Sequence, residues 1–357
     1  MSPGPRLLTL SSLGQIAGLD HDAVIDVRSP SEYAEDHLPG AINLPVLDDA
    51  ERARVGTIYK QQSPFLARKI GAALVARNAA RHLDGPLADS GGGWRPLVYC
   101  WRGGQRSGAF ATILAQVGWR VEVVAGGYKS WRRLVVEALH DRPVASPVVV
   151  LDGNTGSAKT ELLGLLAARG LQVIDLEALA NHRGSLFGAM PGGQPPQKLF
   201  EGRLAMALAR LDPARPVVVE AESSKVGDIA LPKQLWAAMR AAPRVSVAAP
   251  VEARAAYLAR AYADVAADRA RLARVIALLR PLHAAEVIEE WLRLADGGAV
   301  EPLAAGLMAR HYDPRYEKHR ARTASARDRT VTTASLAPGA LGPLADRLAC
   351  AIREMTA

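Results

Sequence analysis

Cys100 is the residue with the most evident chemistry. It stands in Tyr99-Cys100-Trp101-Arg102-Gly103-Gly104-Gln105-Arg106-Ser107, between the apolar run Leu97 to Tyr99 and a helical pattern that opens near Gln105. A cysteine at a strand end, facing a helix N-terminus and two arginines, has its thiolate favoured, and the thiolate is the nucleophile. Gly103 and Gly104 permit successive N–H groups to converge into a nest, so Trp101 to Arg106 form an anion loop above the sulfur. A cysteine followed after five residues by Arg-Ser serves phosphoryl and chalcogen chemistry alike, and the loop alone does not choose. An inert buried thiol would not need two arginines and two glycines beside it.

A second chemical segment is Asp152-Gly153-Asn154-Thr155-Gly156-Ser157-Ala158-Lys159-Thr160, which follows the β-branched run Val148 to Leu151 and precedes a leucine-rich helix. This is the context of a P-loop. Gly153, Asn154, Thr155, Gly156 and Ser157 would wrap a diphosphate, Lys159 would neutralise it, and Thr160 would bind magnesium. Ala158 stands where glycine is usual before the lysine, a change that negative φ would accommodate. Metal binding also asks for an acidic partner. Glu220 and Glu222, after Val217 to Val219, compete for that place with Asp175, and caps or surface ion pairs are the plain alternative for each.

These segments need elements to hold them. The first 140 residues alternate short apolar runs (Val24 to Val27, Ala41 to Leu44, Leu97 to Tyr99, Val121 to Val124) with helical patterns, as in an α/β domain with a parallel sheet. Residues 46–94, helical near Phe65 to His82, read as an insertion. Asp141-Arg142-Pro143 and Ser146-Pro147 mark a boundary. A second α/β domain over 145–250 begins with a βαβ unit, with further strands ending at Glu220 and Ala248. After Pro250 the strand signals cease, and 251–357 reads as helical.

At 49% hydrophobic and 22% charged the chain has the balance of a globular protein, and its two cysteines, Cys100 and Cys350, cannot supply a disulfide framework or a cysteine zinc site. Cys350 lies in an apolar helical pattern and reads as structural. No stretch is long and apolar enough to span a membrane, and the expected location is the cytoplasm. The net charge of +8 suits a polyanionic partner, although 36 of the 44 basic residues are arginine and a solvated surface explains the charge equally well. Residues 310–329 carry six Arg and one Lys against three acids, a net +4. There Arg315, Tyr316, Lys318 and Arg320 combine cations with an aromatic ring, which suits RNA. His182 and Arg183 are candidates for phosphate or RNA contact, with a structural histidine as the alternative.

Asp26-Val27-Arg28-Ser29-Pro30, Glu51-Arg52, Val55-Gly56-Thr57, Tyr59-Lys60, the Cys100 to Ser107 loop and Gly126-Gly127-Tyr128-Lys129 resemble the first part of the tRNA 2-selenouridine synthase family. The likeness continues through the P-loop, Asp175-Leu176-Glu177, Asn181-His182-Arg183-Gly184-Ser185, Phe187-Gly188, Phe200-Glu201 and Glu220-Ala221-Glu222-Ser223-Ser224. The resemblance implies a rhodanese-like parallel-sheet domain followed by a P-loop NTPase-like α/β domain with a helical C-terminal region. It also implies replacement of sulfur by selenium in wobble 2-thiouridine of tRNA, with selenophosphate as donor, through S-geranylation by geranyl diphosphate. No bound organic cofactor is implied, and contact with the enzyme that makes selenophosphate is left open. Cys100 would take selenium as a perselenide, or act as an acid while the loop delivers selenophosphate directly. The rival reading is a cysteine phosphatase or sulfurtransferase joined to a P-loop kinase-like domain.

Overall fold

The computed structural model describes residues 4–320 and 325–356, with side chains left undescribed from 317 to 324. The chain divides into two compact units, one of residues through Arg142 with Pro195–Arg210, the other of Pro143–Gln194 with the residues from Leu211 onward.

The first unit is built on five parallel strands: β1 Arg6–Leu8, β2 Ala23–Asp26, β3 Ala41–Asn43, β4 Pro96–Tyr99 and β5 Glu122–Val124, in the order β1-β5-β4-β2-β3. Four of them are the apolar runs read from the sequence. Edge strand β1, three residues long with Leu7 exposed, carries no such signal. The helices are α1 Leu13–Ala17, α2 Pro30–Glu35, α3 Asp49–Gln61, α4 Pro64–Asp84, α5 Gln105–Val117 and α6 Tyr128–Val136. Residues 46–94 thus hold a pair of helices, of which α4 covers the stretch read as helical. Leu74, Val75 and Ala79 of α4 are buried with Ile25, Val98, Cys100, Phe110 and Leu114, so the segment belongs to the core that supports the cysteine.

The second unit has a five-stranded parallel sheet in the order Arg329–Thr332, Arg244–Ala248, Val148–Gly153, Val217–Glu220, Gln172–Ile174. In chain order its elements are β6 Val148–Gly153, α7 Lys159–Ala168, β7 Gln172–Ile174 and α8 Leu176–Ala180. Helix α9, Gln197–Ala209, belongs to the first unit, where it packs on α1, α2 and α6. Gly202 permits that approach, because a Cβ there would lie 3.1 Å from the Trp131 ring and 3.2 Å from Asp36 Oδ1. The chain then returns to the second unit with β8 Val217–Glu220, the hairpin β9 Lys225–Val226 and β10 Ile229–Ala230, α10 Lys233–Ala241 and β11 Arg244–Ala248.

Helices α11 Val251–Ala261, α12 Ala263–Ala267, α13 Arg269–Ala277, α14 Ala285–Asp296, α15 Val300–Leu307 and α16 Asp313–Arg320 follow. Strand β12, Arg329–Thr332, and helix α17, Pro338–Thr356, end the chain. The C-terminal region is therefore not wholly helical: β12 pairs in parallel with β11, and its polar Arg-Thr-Val-Thr sequence on an edge gives no apolar signal. Leu344, Leu348 and Ile352 of α17 pack with Leu162 and Leu166 of α7 and Val218 of β8. Cys350 is exposed, its thiol donating to Glu354 at 3.2 Å, so it does not pack in the core as the helical pattern suggested.

Candidate active sites, one in each unit

Cys100 follows the last residue of β4, and α5 begins five residues later, so the sulfur faces a helix N-terminus. The loop is fastened by backbone bonds, Tyr128 N to Cys100 O at 2.8 Å and Lys129 N to Trp101 O at 3.2 Å. Such close approach explains two glycines. Gly103 has φ +65° and a Cβ on it would sit 2.6 Å from Val124 O, while a Cβ on Gly127 would collide with Cys100 O. Beneath the loop, fully buried Arg28 donates to Asp26 Oδ2 at 2.6 Å and to Asp36 O at 2.6 Å, with its guanidinium 4.0 Å from the Tyr128 ring. Burial pushes the Asp36 carboxyl up to about 6, although Tyr128 donates to it at 3.0 Å.

Burial alone would raise the Cys100 thiol, yet it lies below its ordinary value. The Ser107 hydroxyl donates to Sγ at 3.1 Å, and backbone N–H groups of Ser107 and Arg102 with the Arg106 charge complete the reversal. Cys100, Trp101, Arg102, Gly104, Gln105 and Arg106 line an open cavity of about 660 Å³, and two unexpected residues line it too. Glu32 accepts from Arg106 Nη1 at 2.8 Å and forms an ion pair with Arg52, whose Nε lies 3.0 Å away, and the Arg106 bond and charge, the Ser29 N–H and the Arg52 charge hold its carboxyl below the usual range despite burial. In the sequence Glu32 reads only as the third helical residue of a capping box begun by Ser29. Arg52 arrives from α3, far away in sequence.

In the second unit the glycine loop runs from β6 to α7. Ala158 has φ 62° and ψ 26°, the left-handed conformation, and not the negative φ that would have accommodated its methyl group. The side chain is nonetheless buried with Leu162 and Val247. Gly156, at φ +83°, lies where a Cβ would meet Arg254 O at 2.9 Å. Arg254 itself is buried, paired with Asp313 at 2.8 Å, and donates to Thr155 O at 3.1 Å, so α11 and α16 hold the loop in place. No local pattern in the sequence marks that clamp.

Thr155, Gly156, Ser157, Lys159 and Thr160 line a cavity of about 940 Å³ together with Glu177, Glu222, Arg183 and Tyr316. Lys159 Nζ donates to Gly153 O at 3.0 Å and lies 5.9 Å from the Tyr316 ring. Burial opposes its charge, but Tyr316, Glu177, Asp152 and Glu222 outweigh that, and it stays above the ordinary lysine value. Thr160 Oγ1 donates to Glu177 Oε2 at 2.8 Å. Glu177 and Glu222 are hydrogen-bonded to each other, and Glu222 is pushed up to about 8 by burial and by the neighbouring Glu177 charge. Both carboxylates converge on Gly184, where a Cβ would lie 2.5 and 2.6 Å from their oxygens.

Of the acidic residues expected around the metal, Glu222 alone lines this cavity. Asp175 caps α8 by accepting from Ala178 N at 2.7 Å, and buried Glu220 accepts from Glu177 N at 2.7 Å. Glu177 lines the cavity beside Thr160 instead, with its backbone N–H held by Glu220 at the end of β8. Among the described residues, no group of three or more His, Cys, Asp or Glu could hold a metal ion. Asn154 faces a different cavity, with Arg244 and Arg254. Arg183 stacks on Tyr262 at 4.8 Å and pairs with Asp264 at 2.9 Å, while the half-buried His182 makes a backbone bridge to Ala189. The basic tail is partly committed to the fold: Arg310 pairs with Glu290 at 2.8 Å and Arg315 donates to the His311 ring at 2.8 Å. Lys318 and Arg320 lie outside the described side chains.

A small apolar cavity adjoins the glycine-loop cavity, sharing Thr155, Ser185, Leu258 and Tyr262 with it. Phe187, Val265, Leu272, Leu303, Leu307 and Met308 make up much of its wall.

Fold and sites define a class: a rhodanese-like parallel-sheet unit presenting a cysteine at a strand end, joined to a P-loop α/β unit. A rhodanese-like domain model matches residues 10–134, and a family model described as "tRNA 2-selenouridine synthase AAA domain" matches 146–279. The tRNA 2-selenouridine synthase of Shewanella loihica is 37% identical over 252 residues, covering 70% of this chain and 66% of that one. That of Aeromonas salmonicida is 40% identical over 247 residues, covering 68% and 66%. The chain belongs to the tRNA 2-selenouridine synthase family, and it spans just under two thirds of the length of these relatives. Among solved structures it is similar to Saccharomyces cerevisiae Ygr203w, a homolog of single-domain rhodanese and Cdc25 phosphatase catalytic domain, at 17% identity over 37% of this chain and 82% of that one, with a TM-score of 0.23. Among the described residues no helix is long and apolar enough to cross a membrane.

Proposed function

We propose that this chain replaces sulfur by selenium in wobble 2-thiouridine of tRNA, using geranyl diphosphate in a first step and selenophosphate in a second. The apolar cavity beside the glycine loop carries this reading. A nucleotide offers its base and ribose as hydrogen-bonding groups, which aliphatic walls leave unpaired, whereas a prenyl diphosphate offers one anionic end and one hydrocarbon end.

In the first step the thiouridine sulfur attacks the allylic carbon, a carbon–sulfur bond forms, and the carbon–oxygen bond to diphosphate breaks. Lys159 and the N–H groups at the start of α7 hold the departing diphosphate. Alkylation at sulfur releases the N3 proton of the base. Glu177 and Glu222, hydrogen-bonded to each other and both raised by burial, are the carboxyl groups placed to receive it. Magnesium suits the donor set of Thr160 and Glu177 completed by diphosphate oxygens, since this ion binds through few carboxylates and many phosphate and water oxygens, and it would neutralise charge on the leaving group.

In the second step the anion loop holds the phosphate end of selenophosphate through Arg102 and the N–H groups above Cys100. Selenium adds to carbon 2 of the uracil, the carbon–sulfur bond breaks, the geranyl thiol leaves with a proton, and water then cleaves the selenium–phosphorus bond to release inorganic phosphate. Mass spectrometry of nucleosides tests the scheme, after thiolated tRNA is incubated with geranyl diphosphate alone and then with selenophosphate. The expected products are S-geranyl-2-thiouridine, then 2-selenouridine. Unchanged nucleosides together with phosphate release from an aryl phosphate would establish the phosphatase reading instead. Cys100→Ser with full selenation would exclude a covalent carrier role for the sulfur.

A further inference from the structure

The α3 and α4 helices form a hairpin that neither step uses. From Arg52 to Arg81 the sequence holds seven basic residues, Arg52, Arg54, Lys60, Arg68, Lys69, Arg77 and Arg81, and no acidic residue. All seven are exposed, and Arg52 alone has a carboxylate partner among the described residues. A merely solvated helical surface interleaves signs and gains i,i+4 pairs, whereas this one accumulates like charges that repel. At the turn of the hairpin, large apolar side chains face water: Tyr59 is 55% exposed, Phe65 70% and Leu66 38%. In thirteen residues α3 buries Ile58 alone, so packing does not explain why these rings are there. The near end of the face is Arg52, which lines the cavity of Cys100, and Lys60 lies about 12 Å further along α3 at the ordinary rise per residue.

We infer that the α3 and α4 hairpin is an RNA-binding face that carries a single-stranded stretch of the tRNA toward the Cys100 cavity. Phosphates answer the unpaired cations, and unstacked bases answer Tyr59 and Phe65, as on other single-strand surfaces. A second copy of the same hairpin would meet charges of its own sign. This inference rests on tRNA being the substrate and adds where it is held, a place distinct from residues 310–329.

Two variants test it, Lys60→Ala/Arg68→Ala/Lys69→Ala and Tyr59→Ala/Phe65→Ala. Every replaced side chain is exposed, and unchanged melting temperatures check the fold. Affinity for thiolated tRNA is read by fluorescence anisotropy over a salt series. The triple variant should lower the slope of log affinity against log salt by about 2, near 0.7 for each lost single-strand phosphate contact. The double variant should bind about fivefold or more weakly at an unchanged slope. Wild-type affinity and slope in both variants would overturn the inference while leaving the functional reading intact. So would wild-type affinity with turnover lost only when a selenophosphate-making enzyme supplies the donor, a result that assigns the face to a protein. A wild-type chain that neither binds nor modifies thiolated tRNA would overturn the functional reading and this inference together.

Discussion

Ser107→Ala should raise the Cys100 thiol pKa by about 1 to 2 units. The Ser107 hydroxyl is buried and donates to Sγ at 3.1 Å, with a weaker alternative at Gly104 O, 3.3 Å away. A hydrogen bond to an ionised group contributes ~1.5–3 kcal/mol, and one pKa unit corresponds to ~1.36 kcal/mol. At any pH below both midpoints the thiolate fraction then falls roughly 10- to 100-fold. The remaining thiolate is the stronger nucleophile, with a Brønsted coefficient near ~0.5, so the observed alkylation rate falls only about 3- to 10-fold. Cys100 and Cys350 are the two cysteines, and a Cys350→Ala background leaves Cys100 as the sole reporter. The assay is iodoacetamide alkylation from pH 5 to 10. An unchanged midpoint in a variant that melts normally would refute the role of this hydrogen bond and leave the backbone N–H groups and Arg106 to hold the thiolate.

At position 158, left-handed backbone costs an L-residue ~1–2 kcal/mol, while glycine forfeits about one buried methyl, ~0.8 kcal/mol, and adds ~0.4–1 kcal/mol of unfolded-chain entropy. Ala158→Gly should therefore change unfolding free energy by less than about 1 kcal/mol, whereas Ala158→Val, β-branched in the same conformation, should lose at least about 2 kcal/mol in urea titrations. Asp36, raised in the fold to about 6, binds more protons folded than unfolded between its ordinary value and 6. Its sign is thus destabilising as pH rises: the contribution of Asp36 is greatest below pH 4 and falls by ~3 kcal/mol by pH 6 to 7, and Asp36→Asn should remove that component from the urea midpoint profile. Ala266→Trp, placed in the wall of the apolar cavity, should abolish S-geranylation yet leave inorganic diphosphate binding within about twofold, as isothermal titration would show.

The parts of the molecule legible in the sequence share a cause. Strand β8 is carried by the run Val217 to Val219, because buried parallel strands are β-branched and continuous. Both loops were readable because each function is packed into nine consecutive residues. Glu32, Arg52, Glu177 and Arg254 were hidden as site residues because long-range packing, not spacing, delivers them. The positive φ of Ala158 was hidden as well, since a neighbourhood that over-determines a strained backbone leaves no mark in residue type. The membership of α9 could not be read, because an apolar helix face does not name its partner.

That last point bears on how the protein is made. A ribosome that has passed Pro147 has released every strand of the first sheet, yet the helix covering Trp131 is still to be synthesised. The first half of the polypeptide must wait, incomplete, until Arg210 has emerged. A gene cut at the apparent boundary would yield a fragment with an open flank, so the two modules are inherited and matured as one piece.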